Sequence, residues 1–464
     1  MSISIGHSNI GIFLSPSPRG PGMIKSPPLD IANLVAILRN NESFDVKLID
    51  SRAHVLNEDS FWERKGINLS IFNDFKRCFD HLLVKQDPLI SYTSIKILSE
   101  VKPEHMEFMI FSVAVLEQFS LQYLISSLCI ARQMKEKYPG IKIVFFGNCP
   151  KKHARKIMGN FSFLDAFLED GNEYSALQYI KNYKRCSPID GITYREKNRL
   201  IYSRKGRKLD LDKYPVPEFA LFDLKKYKCN GKLVLPYEIS RGCINDCFFC
   251  YYIHKGKMAY KNIDKVTDEL KYLSRKYDTQ YFHFMDAEIN FDDDYLGKLC
   301  GVFNKRLPHI RWSALAIPNI NNELLVKMRK AGCVQLRWGV EYASERMLKI
   351  IGKKTSVKEI KEVLKNAHHL GIYNYITLLT GLGVERKKDI EDTKGFIKGM
   401  SPYIDSIKEC VWGELGHFSI LRLDNLLNNK QGKEITQRQK YGPTLRGCDI
   451  TSEDIIDVIT RFGS

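Results

Sequence analysis

Short, unbroken apolar runs alternate with amphipathic stretches in two successive series along these 464 residues. A strand that is apolar on both faces must be covered on both, and a helix after each strand is the common cover. The first series has apolar segments at 11–14, 44–49, 108–113, 142–146 and 163–167, with helical spacing at 29–38, 121–137 and 174–183. A loop at 15–22 carries three prolines, and 50–105 predicts an insertion of short helices. The pattern predicts a doubly wound, Rossmann-like parallel sheet over residues 1–185. Residues 186–230 then read as a connector, with a hairpin at 191–203 and breaks at Pro215 and Pro217.

The second series is longer. Strands are expected at 232–239, 280–285, 309–315, 334–340, 373–379 and 405–412, with helices at 264–276, 295–304, 322–330, 357–370 and 388–398. Six such units predict a partial TIM-type barrel over 231–412. Gly332 and Gly371 stand where helix C-caps are expected. Residues 413–464 are polar and weakly periodic. Their position after the last strand leads to the expectation of a small C-terminal segment that closes over the barrel.

Composition narrows the function classes. Apolar residues make up 44% and charged residues 27%, a globular balance. The longest nearly continuous apolar run, 108–116, falls well short of the roughly 18 residues that span a bilayer. The N-terminus has neither a basic start nor a long apolar stretch, so no signal peptide is expected. A cytoplasmic enzyme away from membranes is the expectation. The formal charge of +17 is spread along the chain. Its densest groups, 151–156 and 204–208, lack the interleaved aromatics of a single-strand binder. A basic, metal-stapled nucleic-acid module is therefore only the competing class, with steep salt dependence as its mark. Twelve cysteines without an export signal are expected to be reduced. Nine are scattered and read as small buried residues.

The other three follow the first barrel strand in Arg241-Gly-Cys-Ile-Asn-Asp-Cys-Phe-Phe-Cys250. The C-terminal end of a barrel strand is where such folds place their chemistry. Three thiolates, Cys243, Cys247 and Cys250, can hold three corners of a cubane cluster and leave the fourth iron open. A zinc site with His254 as fourth ligand and a set of core cysteines are the alternatives.

With Phe249 before the last cysteine, this run resembles the signature of radical S-adenosylmethionine (SAM) enzymes. The resemblance continues at Phe282-His-Phe-Met-Asp-Ala-Glu-Ile-Asn-Phe291, at Trp338-Gly-Val-Glu-Tyr-Ala-Ser-Glu-Arg-Met-Leu348 and at Thr380-Gly-Leu-Gly-Val-Glu385. It implies a [4Fe–4S] cluster on the three cysteines and S-adenosylmethionine near Phe249, Asp286, Glu288, Ser313 and Glu341. Trp312, Trp338 and Tyr342 are candidate linings of a dry barrel interior, or else ordinary barrel packing. Residues 104–180 resemble the cobalamin-binding domain of one branch of that superfamily. Phe146-Gly-Asn-Cys-Pro150 stands at one contact turn and Glu169-Asp-Gly-Asn-Glu173 at another. Ser112, Gly147, Asn148, Gly171 and Glu173 are the corrin-contact candidates.

The chain departs from the pattern at two places. No Asp-x-His-x-x-Gly run is present, since Asp50-Ser-Arg-Ala-His54 has the wrong spacing, and Gly147-Asn148 and Asp170 replace more typical contact residues. A first domain kept only as scaffold is the alternative these raise. The resemblance implies methylation of an unactivated carbon through a 5′-deoxyadenosyl radical and methylcobalamin. The alternative is a non-methylating radical reaction: oxidation, ring rearrangement or carbon–carbon bond formation. The expected partners are a small-molecule or peptide substrate and a reducing protein such as flavodoxin or ferredoxin.

Overall fold

The computed structural model describes residues 8–16, 26–52, 61–113, 120–147, 149, 151–169, 173–183, 189–197, 199–202, 209–228, 230–250, 252, 254 and 256–411. Asn148, Gly171 and the segment 413–464, all singled out above, lie outside them. The chain divides into two compact units.

The strands of the first unit are β1 (Ser8–Leu14), β2 (Phe44–Asp50), β3 (Phe108–Ser112), β4 (Lys142–Phe146), β5 (Ala166–Leu168), β6 (Ile192–Glu196) and β7 (Arg199–Tyr202). They pair in the order β2-β1-β3-β4-β5-β6-β7. The first five are parallel, and the hairpin β6–β7 adds two antiparallel strands at one edge, so the sheet runs past residue 185. The order reverses between β1 and β3, the kind of switch point at which open α/β sheets bind ligands. Helices α1 (Leu29–Arg39), α2 (Phe61–Arg64), α3 (Phe75–Leu83), α4 (Pro88–Val101), α5 (Ser120–Lys137), α6 (Lys151–Asn160) and α7 (Glu173–Asn182) accompany them.

Phe13, Phe111, Phe145 and Phe167 lie directly opposite one another across β1, β3, β4 and β5. Their ring centroids are 5.3, 5.5 and 6.0 Å apart in succession, within the range of favourable aromatic pairs. Residues of α3, α4 and α5 join the same hydrophobic cluster. The insertion at 50–105 is therefore part of the core and not an appendage.

In the second unit the strands are β8 (Val234–Tyr237), β9 (Ser240–Cys243), β10 (Lys257–Tyr260), β11 (Tyr281–Phe284), β12 (Arg311–Ala316), β13 (Cys333–Glu341), β14 (Tyr373–Thr380) and β15 (Ser406–Val411). The helices are α8 (Ile263–Lys276), α9 (Asp293–Arg306), α10 (Asn322–Lys330), α11 (Glu345–Ile350), α12 (Val357–His369) and α13 (Lys387–Met400). Six strands form a parallel sheet in chain order, β8-β11-β12-β13-β14-β15. Right-handed crossovers in chain order put every helix on one side, which curls the other face inward into a partial barrel.

Side-chain direction follows from this. Phe284 meets Phe303 of α9 with centroids 6.3 Å apart, and Asn374 donates from Nδ2 to the Leu364 carbonyl of α12 at 2.7 Å. Trp312 and Trp338 share that helix-facing side. Their Nε1 groups donate to the Ala331 carbonyl at 2.9 Å and to Asn374 Oδ1 at 2.8 Å. Neither tryptophan lines the interior, because each indole N–H finds its partner on the helix-facing side, at the C-cap of α10 and at Asn374 of β14. Tyr342 is also buried and donates to Glu385 Oε1 at 2.7 Å.

Candidate functional site

The cysteine loop hangs from a short antiparallel hairpin that the apolar pattern does not reveal. In β9 and β10, Ser240 faces Tyr260 and Cys243 faces Lys257. Gly242 adopts φ 129°, a conformation that only glycine adopts without strain. Cys243 N donates to the His254 carbonyl at 3.3 Å and Gly256 N to the Cys243 carbonyl at 2.8 Å, closing the loop at its base.

The loop aims N–H groups at sulfur. Asn245 donates to Cys243 Sγ from its backbone N at 3.4 Å, and Tyr252 N donates to Cys250 Sγ at 3.5 Å. Such donors favour thiolates, the form that ligates metal. They act against burial, which pushes the Cys243 thiol upward in pKa. Cys247 is buried, and Cys243 and Cys250 are half-buried. Phe249 is half-buried and Phe248 is 66% exposed. Among the described residues no group of three or more His, Cys, Asp or Glu side chains converges as a single ion requires. The His254 ring packs edge-on to Tyr252, with centroids 5.5 Å apart. The donor set, three thiols on one loop with N–H groups directed at two of them, fits a cluster with several corners better than one zinc ion.

The acidic candidates take different parts. Glu288 is buried against the loop, accepts from Asn245 Nδ2 at 2.7 Å and lies 3.6 Å from Cys243 Sγ. Burial raises its pKa. Asp286 is turned elsewhere. It accepts from Ser240 N and Ser240 Oγ, both at 2.6 Å, and from Ile239 N at 3.2 Å. Burial nevertheless lifts its pKa to about 7. Asp286 thus ties the end of β11 to the start of the cysteine hairpin, and its oxygens are taken up by backbone instead of being presented to a cofactor. Ser313 is wholly buried and pairs through Oγ with His283 Nδ1 at 2.8 Å, below the strand end where it was expected.

Glu341 closes β13 at φ 64°, left-handed backbone that non-glycine residues adopt at a cost. The pairing with β14 shifts register there, between Gly339 and Glu341. The bulge re-aims the Glu341 carboxylate toward Lys353, whose Nζ lies 3.8 Å away and also donates to the Gly339 carbonyl at 3.0 Å. A Cβ at 339 would sit 2.9 Å from that Nζ and 3.0 Å from Glu341 Oε1, so a larger residue there would have to push both side-chain ends aside. Lys353 and Asn245 were missed from sequence. Lys353 sits twelve positions beyond Glu341 with no local pattern to mark it. Arg346, close to Glu341 in sequence, pairs with Asp389.

At the edge of the first unit, Ser112 and Gly147 follow the ends of neighbouring strands, where Val113 N donates to the Phe146 carbonyl at 2.7 Å. Glu173 opens α7 wholly buried and accepts from Asn33 Nδ2 of α1 at 3.4 Å. It braces two helices, and its charge also suits the helix N-terminus. Arg52 and Glu169, at the ends of β2 and β5, hold buried atoms (Arg52 Nε and Nη2, Glu169 Oε2) without hydrogen-bond partners.

Comparison with known proteins follows these two units. Residues 237–397 match the radical SAM superfamily family model. An uncharacterized methyltransferase of Pyrococcus horikoshii is 23% identical over 383 residues, 80% of this chain and 73% of its own length. Two solved structures share the fold. OxsB, a cobalamin-dependent S-adenosylmethionine radical enzyme solved with aqua-cobalamin and S-adenosylmethionine, superposes with a TM-score of 0.63 at 17% identity. The match covers 92% of this chain and 56% of OxsB. The radical S-adenosylmethionine methyltransferase TsrM from Kitasatospora setae gives 0.62 at 12% identity, over 86% of this chain and 72% of its own. No helix among the described residues is long and apolar enough to cross a membrane. With the family match running from the end of β8 into α13, the second unit carries a radical SAM domain.

Proposed function

We propose that this chain is a cobalamin-dependent radical SAM methyltransferase acting on an unactivated carbon of a small molecule. One observation carries the reading: a doubly wound 2-1-3-4-5 sheet and a partial barrel bearing the cysteine loop occur in one chain, whose fold resembles both a cobalamin-dependent S-adenosylmethionine radical enzyme, OxsB, and a radical S-adenosylmethionine methyltransferase, TsrM. The cluster and S-adenosylmethionine would supply the radical, and the corrin would carry the methyl group.

The chain's own residues would do the rest. Cys243, Cys247 and Cys250 would hold the cluster, with Asn245 and Tyr252 favouring their thiolates. Glu288 and the strained Glu341–Lys353 pair lie at the strand ends and would fix the polar groups of S-adenosylmethionine by charge and hydrogen bonding. Asp286 would hold the loop in register with the barrel. In the first unit the buried, unpartnered atoms of Arg52 and Glu169 fit a polar ligand at the sheet's C-terminal edge, beside Ser112 and Gly147. A low-potential reductant of the flavodoxin or ferredoxin type would supply electrons.

The test is isotope transfer. The protein, reconstituted with iron, sulfide and hydroxocobalamin, is incubated with reductant, S-adenosylmethionine carrying a deuterated methyl group, and a small-molecule extract. A product bearing the labelled methyl, formed only with retained corrin, supports the reading. Release of 5′-deoxyadenosine with the label recovered only in methionine and unreacted S-adenosylmethionine would favour a non-methylating radical reaction.

A further inference from the structure

The inner face of the barrel is polar at positions that no cluster ligand explains. His283, Ser313 and Gln335 stand level on β11, β12 and β13, and four residues further along, level with Gly339, Thr377 and Lys408 pair across β14 and β15. Gln335 is wholly buried, yet neither Oε1 nor Nε2 has a hydrogen-bond partner. A buried amide with both ends unmet is rare, and each such group calls for a reason. His283, Leu315 and Arg337 on this face are only half-buried, so part of the face is reached from solvent.

The chemistry of the face is directional. Burial and the nearby Arg337 push the His283 pKa down to about 4, so its ring is a neutral hydrogen-bonding group, oriented by Ser313. Arg337 and Lys408 bring positive charge. Of the acids that end the neighbouring strands, Glu238 pairs with Arg241, and Glu341 lies 3.8 Å from Lys353 and is also held by the charge of Arg337, whose guanidinium sits 5.6 Å over the Tyr375 ring. A guanidinium matches a carboxylate or phosphoryl group in geometry as well as charge. A cationic ligand would be repelled, and an apolar chain would leave the Gln335 amide unmet.

We propose that this inner face recognises a small polar molecule bearing a carboxylate or phosphoryl group, with Arg337 on the anion and Gln335 and the His283–Ser313 pair on its hydrogen-bonding groups. The proposal deepens the enzymatic reading above by naming its substrate class, and it rests on that reading for the role of the barrel interior.

The test uses the full chain and two probes, inorganic phosphate and malonate, each compared with chloride at equal ionic strength by thermal unfolding. A ligand that binds only the folded state raises the midpoint in a saturable way. The wild type is expected to show such a rise at millimolar anion, and Arg337→Gln to lose it. Gln335→Leu is expected to unfold at a higher midpoint than wild type without anion, because the unmet amide is gone, and also to lose the saturable rise. A larger rise with phosphate assigns a phosphoryl group, and one with malonate a carboxylate. Equal rises support the shared anionic chemistry. An undiminished rise in both variants, or none in the wild type with either probe, overturns the proposal. Release of 5′-deoxyadenosine by the reconstituted wild type is read in parallel. Release without an anion response retires this inference alone, whereas an anion response without release retires the radical reading.

Discussion

In the first unit β3 reads Phe-Met-Ile-Phe-Ser and is buried at all five positions; in the second, β13 reads Cys-Val-Gln-Leu-Arg-Trp-Gly-Val-Glu and alternates. Both are inner strands of parallel sheets. The first is covered by helices on both faces and needs apolar side chains on both. The second has helices on one face only, and Gln335, Arg337 and Glu341 fall on the other. Polar residues at every second position of a parallel strand therefore mark an interior that holds something besides side chains. In the first unit the corresponding polar groups, Arg52 and Glu169, are confined to strand ends.

The comparison can be broken most severely at the cysteine loop. Cys243→Ala should abolish cluster absorbance and 5′-deoxyadenosine release. The first unit should keep its unfolding behaviour, since its described core cluster is built from residues of its own strands and helices. A cluster that survives the change would separate the loop from the chemistry assigned to it. Next in size, Phe111→Ala removes the middle of the four-ring row and should cost about 3–5 kcal/mol, read from the denaturant midpoint. A loss below about 1 kcal/mol would show that the first sheet is not packed on both faces as described.

The barrel interior should respond to acid. The folded-state pKa of His283 lies below its ordinary 6.5, at about 4, so in that window the unfolded chain binds more protons. Stability should be fully present above pH 6.5 and fall as the pH drops toward 4, by at most about 3 kcal/mol from this group. His283→Gln should flatten that part of the profile. An unchanged slope would place the ring in a wetter setting. Smallest, Ser356→Ala removes the capping box of α12, on the outer shell, and should cost about 1 kcal/mol without altering 5′-deoxyadenosine release.

What sequence made legible follows the same division. Long apolar runs and helical spacing disclosed both βα series, and the cysteine spacing disclosed the loop. The hairpin β9–β10 stayed hidden because its two four-residue strands are held by backbone pairing and carry no apolar alternation. Helix α6 was hidden by its charge, with only His153, Ala154, Ile157 and Met158 buried. Asp286 and Glu173 stood at motif positions, but their oxygens are engaged by Ser240 and Asn33, 46 and 140 residues away. Such partners come from the tertiary fold and leave no local trace. The orientation of Trp312 and Trp338 was open for a related reason: which face of a parallel strand looks inward depends on which side the helices take.

The central claim is that two cofactor sites are carried by two separate units. The most direct measurement is the absorbance spectrum of anaerobically reconstituted protein, with hydroxocobalamin added and the excess removed, for wild type and Cys243→Ala. The account predicts one retained corrin per chain in both proteins and an iron–sulfur cluster in the wild type only. A wild type that assembles no cluster, or a variant that keeps one, would contradict it.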